Sequence, residues 1–154
     1  MKYDILGEIE GQDDHPFEGV ATVQYDSRGI RVRMDADGQP FENTLKLAAD
    51  VVRRLQELDS LAKRIAADKL LEVYNSGWNE YDEAQEDGSL KSVSNPKLSA
   101  AQFIAKLSLT DVDVTGDQMI TFYYNDEGMF WGHAVVITSL SGIEFRDAFA
   151  EICG

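Results

Sequence analysis

The chain has 154 residues, a length that fits one domain and buries a sizeable core without a disulfide staple. Its 28 acids against 14 bases leave a net charge of −14, which repels phosphate backbones and anionic lipid and so excludes nucleic acid and membrane as natural partners. Cys153 is the only cysteine, which rules out an intrachain disulfide, a zinc ribbon and a C-x-x-C redox pair, and its place near the end of the chain reads as a frayed thiol.

The opening "MKYDILGEIEGQDD" has acids where a signal peptide needs bases, and no apolar run is long enough to span a bilayer. A soluble, cytoplasmic protein is the expectation. Residues 3–9, "YDILGEI", read as a first strand, followed by "EGQDDHP" as a connection in which His15 is solvated. Residues 17–35 then alternate with period two on both sides of "DSRG", a hairpin with a four-residue turn. Setting Tyr25 opposite Ile30 puts Ala21, Val23, Tyr25, Ile30, Val32 and Met34 on a buried face. Thr22, Gln24, Arg31 and Arg33 share the wet one. "DADG" at 35–38 mimics the start of a calcium loop but lacks the later acids and the closing Glu, so it reads as a turn.

From Thr44 to Tyr74 there is no glycine or proline, and Leu45, Ala48, Val51, Val52, Leu55 and Leu58 recur at helical spacing. Two helices are expected, the second capped at Asp59-Ser60, with "NSG" at 75–77 as its stop. Residues 44–75 carry a charge of about +1, which leaves about −15 for the rest and implies a negative surface away from the helices.

Residues 76–97 are polar, with turn chemistry at "EDG" and "NP", and read as a long acidic loop. Ser99 caps a short third helix, and "LTDVDV" from Leu109 is a strand leading into a last hairpin. With "NDEG" at 125–128 as its turn, Phe122 opposes Trp131 and Ile120 opposes His133. This hairpin is apolar on both sides, which predicts a place at the sheet's centre with helices over one face and loops or a second subunit over the other. Trp131 is then buried, and Gly132 marks a bulge or a close approach of backbone or ring.

The expected fold is a single α+β domain over residues 1–154, a mainly antiparallel sheet from the N- and C-terminal strand groups packed on a central helical pair. No catalytic residue, cofactor or metal-ligand set is assigned: the chain has two histidines far apart in sequence, and lacks H-x-x-x-H, G-x-x-x-x-G-K-[ST], G-x-S-x-G and G-x-G-x-x-G.

"LLEVYNSGWNEYD", with Asn75, Gly77 and Trp78, then "LSAAQFIAKLSLTDVDV", then "YYNDEGMFWGHAVVI", with Phe130, Trp131, Gly132 and His133, resemble a family of bacterial domains of unknown function. The resemblance is specific over roughly residues 70 to 140. Serine often follows the histidine in that pattern, whereas Ala134 stands here, so no hydroxyl role carries over. Small acidic bacterial domains of this kind are similar to immunity proteins encoded beside secreted toxins, an analogy that implies a basic protein partner.

Two functions follow as expectations. The first is a non-catalytic, immunity-type binding protein whose acidic loop presents Trp78 and Tyr81 among Asp82, Glu83 and neighbouring acids, because aromatic anchors ringed by charge suit protein interfaces. The second is a small-molecule or enzymatic domain with a pocket around Trp131 and His133, Trp78 at its rim.

Overall fold

The computed structural model describes the backbone of residues 2–12 and 15–154, and side chains outside residues 12–17. Strands β1 (Lys2–Tyr3), β2 (Gly7–Gln12), β3 (His15–Tyr25) and β4 (Arg28–Asp35) precede helices α1 (Phe41–Arg53) and α2 (Leu55–Val73). Next come a ribbon, β5 (Glu80–Ala84) and β6 (Leu90–Ser94), helix α3 (Ala100–Ala105), and strands β7 (Ser108–Thr115), β8 (Met119–Asn125), β9 (Ala134–Ser139) and β10 (Phe149–Cys153). One eight-stranded sheet runs β1-β2-β3-β4-β7-β8-β9-β10, and β5-β6 stands apart from it. All neighbours in the large sheet are antiparallel except β4 and β7, whose parallel pairing, from Arg31↔Asp111 to Asp35↔Thr115, joins the two strand groups. The expected α+β architecture is therefore present, with α1, α2, the ribbon and α3 lying in the connection that a parallel pair requires.

The first strand is not continuous. A short 3-10 turn over Asp4–Leu6 and a left-handed Gly7 (φ 69°) fold β1 back on β2. His15 opens β3 and does not belong to a loop, while the expectation that its side chain is solvated falls outside the described residues. The β3–β4 turn is also tighter than four residues: Asp26 and Ser27 both take positive φ (51° and 64°), so Tyr25 pairs with Arg28 and Val23 with Ile30. That pair of left-handed residues matches the natural twist of a hairpin. The register moves by two, an even shift that keeps Ala21, Val23, Ile30, Val32 and Met34 on the buried face.

Between the helices the break lies at Arg54 (φ −112°, ψ 22°), and Asp59 sits inside α2. Asp59 does not cap because its carboxylate faces the sheet: it accepts hydrogen bonds from the hydroxyls of Tyr25 and Tyr124, each at 2.7 Å, with Lys63 Nζ at 3.3 Å. Leu45, Ala48, Val51, Leu55, Leu58, Ala62, Ala66 and Leu70 close over Val32, Val112, Ile120, Phe122, Val135 and Ile137 in one core. Small alanines along α2 let its backbone approach the sheet. Helix α3 follows the predicted cap, with Ser99 Oγ accepting from the Gln102 amide and the Gln102 side chain accepting from the Ser99 amide.

On the sheet's other face the centre carries paired charge. Arg33 donates to Asp113 at 2.6 Å and to Asp111 at 2.9 Å, and lies 5.4 Å over the Tyr123 ring, whose hydroxyl donates to Asp113 at 2.9 Å. Arginine and acids interleaved on β4 and β7 thus satisfy one another's charge on this face. Cys153 is exposed, as a frayed thiol would be, yet its backbone belongs to β10 and pairs with Ala134. No described helix is long and apolar enough to cross a membrane.

Candidate functional site

The segment "FWGH" is not in a strand. Strand β8 ends at Asn125 and β9 begins at Ala134, with Phe122 opposite Ile137 and Tyr124 opposite Val135, so the connection spans 126–133 and the four-residue turn with Phe122 opposite Trp131 is overturned. Side-chain chemistry in "NDEG" explains the longer loop. Asn125 Oδ1 accepts from the Glu127 amide at 2.9 Å, and the buried Asp126 carboxylate accepts from the amides of Gly128 and Phe130, each at 3.0 Å. These bonds hold backbone groups that a strand ladder would otherwise take.

Phe130 is driven inward to 0% exposure and meets Tyr74, Trp78 and Phe103 in edge-on contacts at 5.9, 5.4 and 6.3 Å. The chain then takes two left-handed residues in succession, Trp131 (φ 56°) and Gly132 (φ 90°). A bulky non-glycine residue in that region is rare. Its effect is to send Trp131 outward to 54% exposure, correcting the expectation that it is buried. Gly132 is needed for its backbone angle and not for a close approach, since a Cβ there would meet nothing within 4 Å.

Trp78 is positioned from the other side. The last turn of α2 widens into a π-helical turn over Tyr74–Trp78, closed by the Asn79 amide on the Tyr74 carbonyl at 3.1 Å. Such turns recur at functional sites. Asn75 clasps the backbone of Leu98 from both sides, donating to its carbonyl and accepting from its amide at 2.9 Å. The buried Asn79 donates to the Asn95 carbonyl at 3.0 Å and returns its own carbonyl to the Asn95 amide at 2.8 Å. Together they fasten the foot of the β5–β6 ribbon, which replaces the expected loop; a lone two-stranded ribbon is marginal without such anchoring.

The half-buried Trp78 ring lies 4.5 Å from that of Trp131, and the Trp131 indole N–H donates to the Trp78 carbonyl at 3.1 Å. Tyr81, 38% exposed on β5, meets Trp131 edge-on at 6.2 Å. These rings form one wall of a groove of about 930 Å³ whose lining also includes Tyr74, Leu98 and Met129, with Asp82 and Lys97 among its charges. Lys106 and Glu127, also in the lining, face one another at 4.0 Å. Burial, and secondarily the neighbouring Tyr81, hold the Tyr74 phenol above its ordinary value, so it stays neutral under the groove.

Of the residues singled out from sequence, Trp78, Tyr81, Asp82 and Trp131 share this groove. Glu83 is exposed on the same ribbon but outside the lining. His133 is half-buried and touches the Trp78 ring edge-on at 5.8 Å, yet it lines a separate recess with Asn125 and Ala134, so Trp131 and His133 do not face one cavity. Asn79 and Asp126, which shape the site, were not singled out, and Asn75 and Phe130 entered only through the family resemblance, with no role assigned. The signal for Asn75 and Asn79 was present in asparagines flanking "SGW" four residues apart, one helical turn.

Fold and groove together define an α+β domain with an aromatic-walled surface site at the end of its helical layer. The chain belongs to the family described as "Uncharacterized protein conserved in bacteria (DUF2262)", whose model matches residues 4–148. That match takes in the N-terminal strands and α1 as well as the stretch from about 70 to 140 on which the resemblance rested. No curated protein and no solved structure matches the chain.

Proposed function

We propose that the chain is a non-catalytic binding domain, an immunity-type inhibitor in its most concrete form, which holds a basic protein partner on the groove and the acidic ribbon beside it. The observation that carries this reading is Trp131, more than half exposed in a left-handed backbone conformation. Phe130 already anchors the loop, so turning a tryptophan to solvent at a strain of about 1–3 kcal/mol does nothing for the core. Aromatic anchors inside a charged rim are what interfaces use. Glu80, Asp82, Glu83, Glu86 and Asp87 supply that rim, all on an exposed ribbon. A cytoplasmic location belongs to the same reading.

The test begins with affinity capture from the source lysate and continues with the captured protein purified. A basic partner is expected, with association slowing as salt rises. Changing the five ribbon acids to their amides is expected to weaken binding roughly tenfold or more without altering the fold. A partner whose binding ignores both salt and those charges would remove the physical basis of the proposal. A second reading, a small-molecule site, is favoured by the groove's volume, which falls within the usual range for ligand pockets. Its occupant would meet Trp131 and Trp78 but not His133.

A further inference from the structure

We infer that the part of the groove lined by Trp131, Tyr81 and Asp82 receives an arginine side chain of the partner. This rests on the protein-binding reading above and names its anchor. Three observations converge. The Trp131 indole N–H is already given to the Trp78 carbonyl, which leaves the ring's π face as the part available to a ligand. Tyr81 stands edge-on to that ring at 6.2 Å, so a group entering here meets two aromatic surfaces. Asp82, also in the groove's lining, takes the Ser92 hydroxyl at 3.1 Å on Oδ1 and forms no ion pair among the described residues.

Aromatic faces are electronegative and attract cations, and a carboxylate in the same groove favours a cationic guest over an anionic one. Between the two basic side chains the geometry favours arginine. Its guanidinium is planar and weakly hydrated, so it stacks on an indole while its N–H groups still reach a carboxylate; an ammonium in an open groove keeps its water. Lys106 does not oppose this, since it faces Glu127. Lys97, which makes no ion pair among the described residues, defines the competing chemistry: an aromatic carboxylate stacked on Trp131 with its anion on the lysine.

Methylguanidinium, methylammonium and benzoate discriminate the cases when titrated into the full chain. With only two tryptophans, the indole N–H resonances of Trp78 and Trp131 separate into two signals. Methylguanidinium is expected to shift the Trp131 indole and the Tyr81 ring saturably, roughly threefold or more tighter than methylammonium. Asp82→Asn, on an exposed ribbon where the fold has little at stake, is expected to weaken it by a similar factor, and Trp131→Ala to abolish the Tyr81 shift. Saturable shifts with benzoate alone would overturn the inference, as would methylguanidinium shifts spread evenly over the acidic surface. If either occurs while partner binding still depends on salt and on the ribbon acids, the anchor is wrong and the binding function stands; loss of that dependence as well removes both.

Discussion

Replacing Asp59 with alanine is expected to lower stability by about 3–5 kcal/mol, the cost of removing one member from a buried, charge-assisted cluster. The residue is only 5% exposed, and its carboxylate is the acceptor for Tyr25 and for Tyr124, itself 1% exposed. In the variant, two hydroxyls and Lys63 lose their partner at the point where α2 meets the sheet. Asp59→Asn keeps one acceptor oxygen and is expected to cost less, about 1–3 kcal/mol. Urea denaturation of the three proteins measures this, and a loss below about 1 kcal/mol for the alanine variant would mean that the cluster does not fasten the helix.

The same cluster sets the protein's response to alkali. Burial foremost, with the Asp59 carboxylate adding to it, raises the phenols of Tyr25 and Tyr124 above the ordinary tyrosine value of about 10. A pKa raised on folding means that the folded state keeps a proton which the unfolded chain gives up. The stabilisation is therefore complete below about pH 10 and is lost as pH climbs from there through the folded-state values. Denaturation midpoints are expected to fall steeply above about pH 10, and a flat profile to pH 11 would contradict the assignment.

Phe130→Ala is the second substitution with a large expected effect, about 3–5 kcal/mol, because a fully buried ring holding the loop against Tyr74, Trp78 and Phe103 is deleted. Its neighbour behaves differently. Trp131→Ala removes ring contacts with Trp78 and Tyr81 and one hydrogen bond at a half-open surface, for about 1–2 kcal/mol. Equal losses in the two variants would return Trp131 to the core. The contrast reverses the expectation of a buried Trp131 that the apolar alternation of 119–137 sets.

That reversal marks where the sequence is legible and where it is not. Period-two alternation in 17–35 assigns the buried face correctly even though the turn is misread by two residues, since an even shift leaves every side chain on its own face. In 119–137 the same alternation predicts the inward set Ile120, Phe122, Tyr124, Met129, Val135 and Ile137, and fails for 130–133. There Asp126 captures two amides and glutamate, glycine and tryptophan take left-handed angles, an outcome of local hydrogen bonding that hydrophobic pattern does not encode. Asp59 is misread for a related reason. An Asp-Ser pair before an apolar run looks like a cap until two tyrosines, 34 and 65 residues away in sequence, are known to point at it. The groove is legible in its aromatic residues but not in its assembly, because the π-helical turn and the asparagine clasps that bring Trp78 to Trp131 depend on contacts across the fold.

The central claim is that Trp131 is displayed for binding and not packed for stability. It is tested most directly by the dissociation constant of the purified partner for Trp131→Ala, measured under conditions where the variant is fully folded. As an interface anchor, Trp131 is expected to contribute about 2 kcal/mol or more, so binding should weaken roughly thirtyfold. A variant that binds the partner as tightly as the natural chain would contradict the account.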